Sequence, residues 1–75
     1  MGGKKTTITN RIKALRKARG LSQQALADAV GATRQTILTI EAERYGPSLE
    51  LAFRIAHALG EPIDEVFVFN PLTLS

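Results

Sequence analysis

Glycine and proline divide this chain of 75 residues into short segments at fairly regular intervals. Between the breaks, apolar residues recur every three or four positions, a spacing that is typical of amphipathic helices rather than strands. A chain of this length has room for one domain, so the segments must share a single core. The sequence therefore predicts an all-α fold of five short helices. The breaks fall at Gly20, Gly31, Gly46-Pro47 and Gly60-Glu61-Pro62.

The start of each predicted helix is marked by a residue that suits that position. Ser and Thr side chains accept hydrogen bonds from the backbone N–H groups of the first turn, and proline is tolerated at the first helical position. We expect the first helix to carry Ile8, Ile12 and Leu15 on its buried face, and the fifth to begin near Pro62. The predicted caps of the first four helices are, in chain order, Thr9 or Thr7, Ser22, Thr33 and Ser48.

The run Val66-Phe67-Val68-Phe69 does not follow the helical pattern. Its β-branched and aromatic residues either complete the fifth helix or form a short edge strand, and the spacing alone does not decide between the two. A domain this small can hardly bury all of these apolar side chains by itself. We therefore predict that Val66, Phe67, Val68 and Phe69 form the interface of a homodimer.

Charge is distributed unevenly along the chain, although its formal net charge is only +3. All the Lys and Arg residues of the first third precede Gly20, whereas the first acid is Asp28 and acids predominate from Glu41 onward. This asymmetry predicts a basic end that meets a polyanion, although a solvated basic helix face would give the same pattern. The predicted division is a flexible basic arm over 1–8, a helical domain over 9–68 and a C-terminal tail over 69–75.

Several classes of function lack the residues that they need. The chain has no Cys and a single His, so we predict no metal site, no cofactor and no enzymatic activity, with His57 at the surface. No apolar run approaches the roughly 20 residues that span a bilayer. The start of the chain, Met1–Thr6, matches the N-myristoylation pattern, but that pattern is short and turns up by chance. We predict a cytoplasmic protein with no membrane partner and no small-molecule ligand.

Two of the predicted helices are joined by a short turn that contains Gly31, which is the arrangement of a helix-turn-helix unit. The unit runs from about Leu21 to Glu41, and the helix over residues 33–42 would enter the major groove of DNA. Gln23, in the first turn of the preceding helix, is suited to bind a phosphate. Arg, Gln and Thr side chains can recognise guanine, adenine and the thymine methyl group respectively. Such side chains on the recognition helix are Arg34, Gln35, Thr36 and Thr39.

The stretches Leu21–Glu41 and Pro47–Ala56 resemble the Cro/repressor-type helix-turn-helix regulators, also called the xenobiotic-response-element family. The resemblance covers roughly residues 10–67. It implies a lambda-repressor-like domain that binds double-stranded DNA at an inverted-repeat operator as a homodimer. It also implies that Arg16 and Glu41 form a partly buried, structural ion pair. The DNA-contacting positions that it implies are Gln23, Arg34, Gln35, Thr36 and Thr39, with Arg44 and Tyr45 in a loop that contacts phosphate.

The sequence departs from the family's pattern directly after Glu41. The family commonly has Asn-Gly there, which ends the recognition helix, whereas this chain has Ala42 and Glu43, both good helix formers. We therefore expect the helix to run on and to turn only near Gly46-Pro47. We also expect the carboxylate of Glu43 to lie close to phosphate and to weaken binding, an effect that Arg44 can compensate.

These features predict a sequence-specific, DNA-binding transcriptional regulator, most simply a repressor. The alternative is a helix-turn-helix module that binds a protein, such as an antitoxin or a bridging factor. The polar face that begins at Arg34 favours DNA, whereas an apolar tail that binds another chain would favour the alternative.

Overall fold

The structure, a computed structural model, describes residues 8–70 of the chain. The predicted cap at Thr7, most of the predicted basic arm and most of the predicted tail lie outside this range. Within it the chain forms five helices, as predicted, and two short strands. The elements are, in chain order, β1 (Ile8–Asn10), α1 (Ile12–Ala18), α2 (Gln23–Val30), α3 (Arg34–Glu41), α4 (Leu49–Leu59), α5 (Ile63–Val66) and β2 (Phe67–Phe69).

Three of the predicted helix caps are present as hydrogen bonds. The hydroxyl of Ser22 accepts from the backbone N–H of Ala25 at 2.9 Å. The hydroxyls of Thr33 and Ser48 each accept from the N–H three residues further on, both at 3.1 Å. Such a cap stabilises a helix by about 1 kcal/mol. The fifth helix begins directly after Pro62, as predicted.

The predicted start of the first helix is wrong. Ile8 and Thr9 lie in β1, and α1 begins only at Ile12. The side-chain oxygen of Asn10, rather than that of Thr9, accepts from the N–H of Ile12, at 3.1 Å. The hydroxyl of Thr9 is instead 3.3 Å from Nδ2 of Asn70, which donates to it. The helical spacing of apolar residues could not reveal this, because the strand is stabilised by hydrogen bonds to the other end of the chain.

The apolar run near the C-terminus forms the edge strand, one of the two structures that its sequence allows. β2 pairs with β1 in an antiparallel arrangement, so the folded unit includes Ile8 and Phe69, which lie one residue beyond the two predicted domain boundaries. Side chains alternate between the two faces of a strand. The register is Ile8↔Phe69, Thr9↔Val68 and Asn10↔Phe67, which puts Ile8 and both phenylalanines on one face of the sheet and Val68 on the other.

The core lies where the helices meet, and aliphatic side chains fill it. Val66 belongs to this core and is fully buried. It is therefore not available to a second copy of the chain, contrary to the prediction for the apolar run, because the last turn of α5 directs it inward before the strand begins. The buried cluster comprises Ile12, Leu26, Ala27, Val30, Ile37, Ile40, Ile55, Ala56, Leu59 and Val66.

The third helix ends at Glu41, so its predicted extension is wrong. Glu43 takes a left-handed backbone conformation, with a φ of 62°. Its N–H donates to the carbonyl of Ile40 at 2.9 Å. The next N–H, that of Arg44, donates to the carbonyl of Thr39 at 3.2 Å. This pair of bonds is the Schellman arrangement, which usually has glycine at the left-handed position.

Strand β1 holds this chain reversal in place. The carboxylate of Glu43 accepts from the backbone N–H of Asn10 at 3.1 Å. Nδ2 of Asn10 donates in turn to the carbonyl of Ile40, near the end of α3, at 2.9 Å. These tertiary bonds stabilise a turn that the helix propensities of Ala42 and Glu43 do not predict. They also engage the Glu43 carboxylate with β1.

Two substitutions at Glu43 distinguish the energetic cost of its left-handed backbone conformation from the stabilisation by its bond to Asn10. Glu43→Gly and Glu43→Ala both remove the carboxylate, but only alanine has a Cβ that disfavours the left-handed conformation. We expect the alanine variant to have a free energy of unfolding about 1 kcal/mol below that of the glycine variant. Urea denaturation of the two proteins measures the difference. Equal stabilities would show that residue 43 is not held in a left-handed conformation.

Candidate nucleic-acid interface

Helix α3 is anchored to the core on one side and open to solvent on the other. Ile37 and Ile40 are buried, and the predicted base-reading residues lie around the rest of the helix. A recognition helix meets base edges mainly with residues near its N-terminus, and the exposed members of this set lie there. Two of the set are exposed and two are half-buried: Arg34 and Gln35, then Thr36 and Thr39.

Arg34 is a cation for which the surrounding structure provides no counter-charge. It is the first residue of α3, and it forms no ion pair within residues 8–70. The N-terminal end of a helix carries partial positive charge, so a cation at this position is electrostatically unfavourable. Stability therefore does not account for Arg34. An exposed guanidinium in this place is suited to a phosphate or to the two acceptors of guanine.

The other polar side chains of α3 are partly engaged with the helix itself. The hydroxyl of Thr39 donates to the carbonyl of Gln35 at 2.8 Å and lies 3.3 Å from its Nε2. The hydroxyl of Thr36 lies 3.0 Å from that of the cap Thr33. Both hydroxyls have local partners that orient the side chains, and the methyl groups of the two threonines can contact a thymine methyl group.

Leu38 is a residue of this surface that the sequence reasoning missed. Its side chain is 38% exposed although it is large and apolar. It follows Arg34 by four positions and Gln35 by three, so the three side chains neighbour one another on the helix. An apolar side chain can contact the methyl group of thymine. The helical spacing of Leu38 from Arg34 and Gln35 is the signal in the sequence that indicates it.

Helix α3 is joined to α1 and α2 by a buried network around Glu41. Nε of Arg16 donates to the Glu41 carboxylate at 2.7 Å, and both side chains are less than a tenth exposed. Nη1 of Arg16 also donates to the carbonyl of Leu21 at 2.9 Å. The ion pair implied by the family resemblance is thus present, and it fixes the end of α3 against α1.

Gln23 lies in the same network. It is the first residue of α2, and its Nε2 donates to the Glu41 carboxylate at 3.2 Å. An amide nitrogen carries two N–H groups, so one remains that can donate to a phosphate oxygen. The phosphate contact was predicted from the sequence. The bond to Glu41 was not, and it holds the side chain half-buried at the start of α2.

The loop after α3 brings together the last two predicted DNA-contacting residues. Arg44 and Tyr45 are both exposed, Tyr45 by 51%. Arg44 forms no ion pair with any residue of the described range. The neighbouring Glu43 carboxylate, expected near phosphate, is engaged with the backbone of β1 instead. Arg44 therefore remains a cation without an ion pair in the described range, directly beyond the end of α3.

The exposed cations of the described residues divide into those that pair with an acid and those that do not. Three exposed or half-exposed arginines pair with acids of α4, α5 and the turn between them: Arg54 with Glu50, Arg11 with Glu65 and Arg19 with Glu61. Helices α4 and α5 also have acids in their first turns, whereas α2 and α3 have none. The cations without an acidic partner in this part of the chain are Lys13, Lys17, Arg34 and Arg44. They leave net positive charge on α1 and around α3, where a polyanion would be attracted.

An apolar groove of about 350 Å³ lies between the sheet, the loop after α3 and the start of α4. Ile8, Tyr45 and Leu49 line it and are 41, 51 and 72% exposed. Phe69, on the same face of the sheet as Ile8, is 55% exposed. Apolar side chains that are concentrated in this way on a small domain mark an interaction surface.

Over residues 8–70, no group of three or more His, Cys, Asp or Glu side chains could hold a metal ion. In the same part of the chain, every helix is too short or too polar to cross a membrane.

Comparison with known proteins places this arrangement in a family. A family model described as helix-turn-helix matches residues 12–66, which include all five helices. The chain belongs to this helix-turn-helix family and is a DNA-binding transcriptional regulator, a class of proteins that are not typically enzymes.

Individual relatives agree with this assignment. An uncharacterised HTH-type transcriptional regulator of Methanothermobacter thermautotrophicus is 53% identical over 60 residues, which cover 79% of this chain and 87% of the relative. An immunity repressor protein of Bacillus phage phi105 is 40% identical over 60 residues, or 80% of this chain and 42% of the repressor. The restriction-modification controller protein C.AhdI of Aeromonas hydrophila has a similar structure, with a TM-score of 0.69, 33% identity, and coverage of 72% of this chain and 82% of the controller.

Proposed function

We propose that this protein is a sequence-specific repressor that reads the major groove with α3 and binds an inverted-repeat operator as a homodimer. The observation that carries the proposal is the exposed, unpaired Arg34 at the start of a helix whose end is fixed by the buried Arg16–Glu41 pair. A rigid helix holds its base-reading side chains in one geometry, which sequence discrimination requires. The similarity to a phage immunity repressor supports the sign of regulation.

The side chains of the site divide into base-reading and phosphate-binding groups. Arg34 and Gln35 can each form two hydrogen bonds with a base edge, Arg with guanine and Gln with adenine. Leu38 would add apolar contact with thymine beside them. Gln23 and Arg44, at the start of α2 and beyond the end of α3, would bind phosphates on either side and set the orientation of the helix in the groove.

Such a protein acts where the DNA is, and we propose the cytoplasm as its compartment.

For the homodimer we propose the apolar groove as the contact, extended by the exposed face of the sheet. Of the predicted apolar run, Phe67 lines the groove and Phe69 lies on the same face of the sheet. Val68, on the opposite face, would lie at the edge of this contact. The groove adjoins the loop that follows α3, so a two-fold axis there would put the ends of the two recognition helices near each other. The inverted symmetry of the operator would then match that of the protein.

Leu49→Asp tests the position of the dimer contact. Leu49 is 72% exposed at the start of α4, so the change leaves the core intact and puts an acid where the helix dipole favours it. We expect the variant to sediment as a monomer at concentrations at which the unaltered protein is a dimer. Phe53→Asp is the matched control, because Phe53 is an exposed apolar residue of the same helix that does not line the groove. A dimer that survives Leu49→Asp would contradict this interface.

The DNA-binding face can be mapped by nuclear magnetic resonance. Titration of isotope-labelled protein with a DNA duplex should shift the backbone signals of Gln23, Arg34–Glu41 and Arg44. The signals of α5 should stay in place. If the duplex shifts none of them, while a protein partner shifts the residues of the groove, the protein-interaction alternative is correct.

A further inference from the structure

We infer that Lys13 and Lys17 form a second phosphate-binding surface on α1, outside the recognition helix and the loop that follows it. This inference rests on the proposed DNA-binding function and extends the contact with DNA beyond the groove that α3 reads. The partner is the sugar-phosphate backbone, which carries a regular array of negative charge whatever its sequence.

Helix α1 has two flanks with different charge environments. Arg16 points toward α3 and forms an ion pair with Glu41. Arg11 and Arg19 are occupied by Glu65 and Glu61, at 3.2 and 3.6 Å. Lys13 and Lys17, in contrast, form no ion pair with a described residue.

Both lysines are exposed and lack an acidic partner within residues 8–70. They are four positions apart in the same helix, so their side chains neighbour each other on one face. Two lysines in this arrangement repel each other, and neither forms an ion pair with an acid of the described chain. Such a pair gains most from an external polyanion.

The position of the two lysines relative to α3 connects them to the site. Together with Asn10, Arg11 and Ala14 they line a shallow depression that also includes Glu41, the last residue of the recognition helix. Glu41 does not repel a phosphate there with its full charge, because Arg16 and Gln23 both donate hydrogen bonds to it. The depression therefore adjoins the end of α3, and Glu41 there is bonded to Gln23 at the start of α2.

Lysine suits this role better than a base-reading one. Its ammonium group is a compact charge on a flexible stem, which can follow a phosphate without fixed geometry. The surface would contribute equally to operator and unrelated DNA. Its contribution would appear in the dependence of affinity on salt rather than in base preference.

The test is a salt titration of Lys13→Gln/Lys17→Gln with an operator duplex and with a duplex of unrelated sequence. The logarithm of affinity against the logarithm of salt concentration should lose about 0.9 of slope for each phosphate contact removed, or about 1.8 per protomer. The ratio of the two affinities should stay the same. Circular dichroism of the variant checks that the exposed substitutions leave the fold intact.

Arg19→Gln/Arg54→Gln is the matched control, since it removes the same amount of charge from side chains that are paired with acids. Its salt slope should remain close to that of the unaltered protein. Lys13→Arg/Lys17→Arg should keep the full slope. If the lysine-to-glutamine variant keeps its slope, or if the control loses as much, the surface does not bind phosphate. If the unaltered protein itself binds DNA without salt dependence, the proposed function fails, and the two failures are thereby distinguished.

Discussion

Arg16→Ala is expected to lower the free energy of unfolding by about 3–5 kcal/mol, because it leaves the buried carboxylate of Glu41 without its counter-charge. The two side chains are 8 and 6% exposed, so the carboxylate has little contact with solvent in the folded protein. Small domains have total stabilities of about 5–15 kcal/mol, and this loss would leave the variant marginally folded. Thermal denaturation followed by circular dichroism measures the effect.

Glu41→Ala should destabilise the protein by a similar amount for the reciprocal reason. The double variant Arg16→Met/Glu41→Leu is the informative control, because replacing both members of a buried pair with apolar residues is often neutral or stabilising. We expect it to be clearly more stable than either single variant. If Arg16→Ala unfolds at the same temperature as the unaltered protein, the pair does not join α1 to α3 in the way that the structure indicates.

Arg34→Ala is expected to weaken operator binding by about 1–3 kcal/mol, or roughly 5- to 150-fold, and to relax the preference for one base pair. The side chain is exposed and unpaired, so its loss should leave the fold unchanged. Fluorescence anisotropy with operator duplexes that differ at single positions measures both effects. Arg54→Ala controls for the lost charge, since Arg54 is an exposed arginine of α4 that is paired with Glu50. An equal loss at every operator position would show that Arg34 binds phosphate and does not read a base.

The parts of the fold that depend on local interactions could be predicted from the sequence. The caps at Ser22, Thr33 and Ser48 follow from hydrogen bonds between residues three positions apart. The helices between them follow from the spacing of apolar residues. The predicted end of α3 was wrong, because the left-handed turn at Glu43 depends on Asn10, which is 33 positions away.

The strands could not be predicted for the same reason. Three residues of β1 pair with three of β2 across almost the whole described chain, and neither segment has a pattern that identifies its partner. The missing pairing also led to the wrong cap of α1, whereas the burial of Val66 depends on the last turn of α5. The prediction of the site depended less on distant contacts. The turn at Gly31 places the start of the next helix, and Arg34 and Gln35 are its first two residues. Leu38 was missed because an exposed leucine in a helix has the same spacing as a buried one.

The measurement that tests the central claim most directly is selection of bound sequences from a random pool of DNA duplexes, followed by titration of the selected duplex at several salt concentrations. We predict enrichment of a short inverted repeat, with affinity that falls steeply as salt concentration rises. The two half-sites should be about 34 Å apart, one turn of DNA, if two copies of α3 read them. A pool that shows no preferred sequence, with only weak binding, would contradict the claim that α3 reads the major groove.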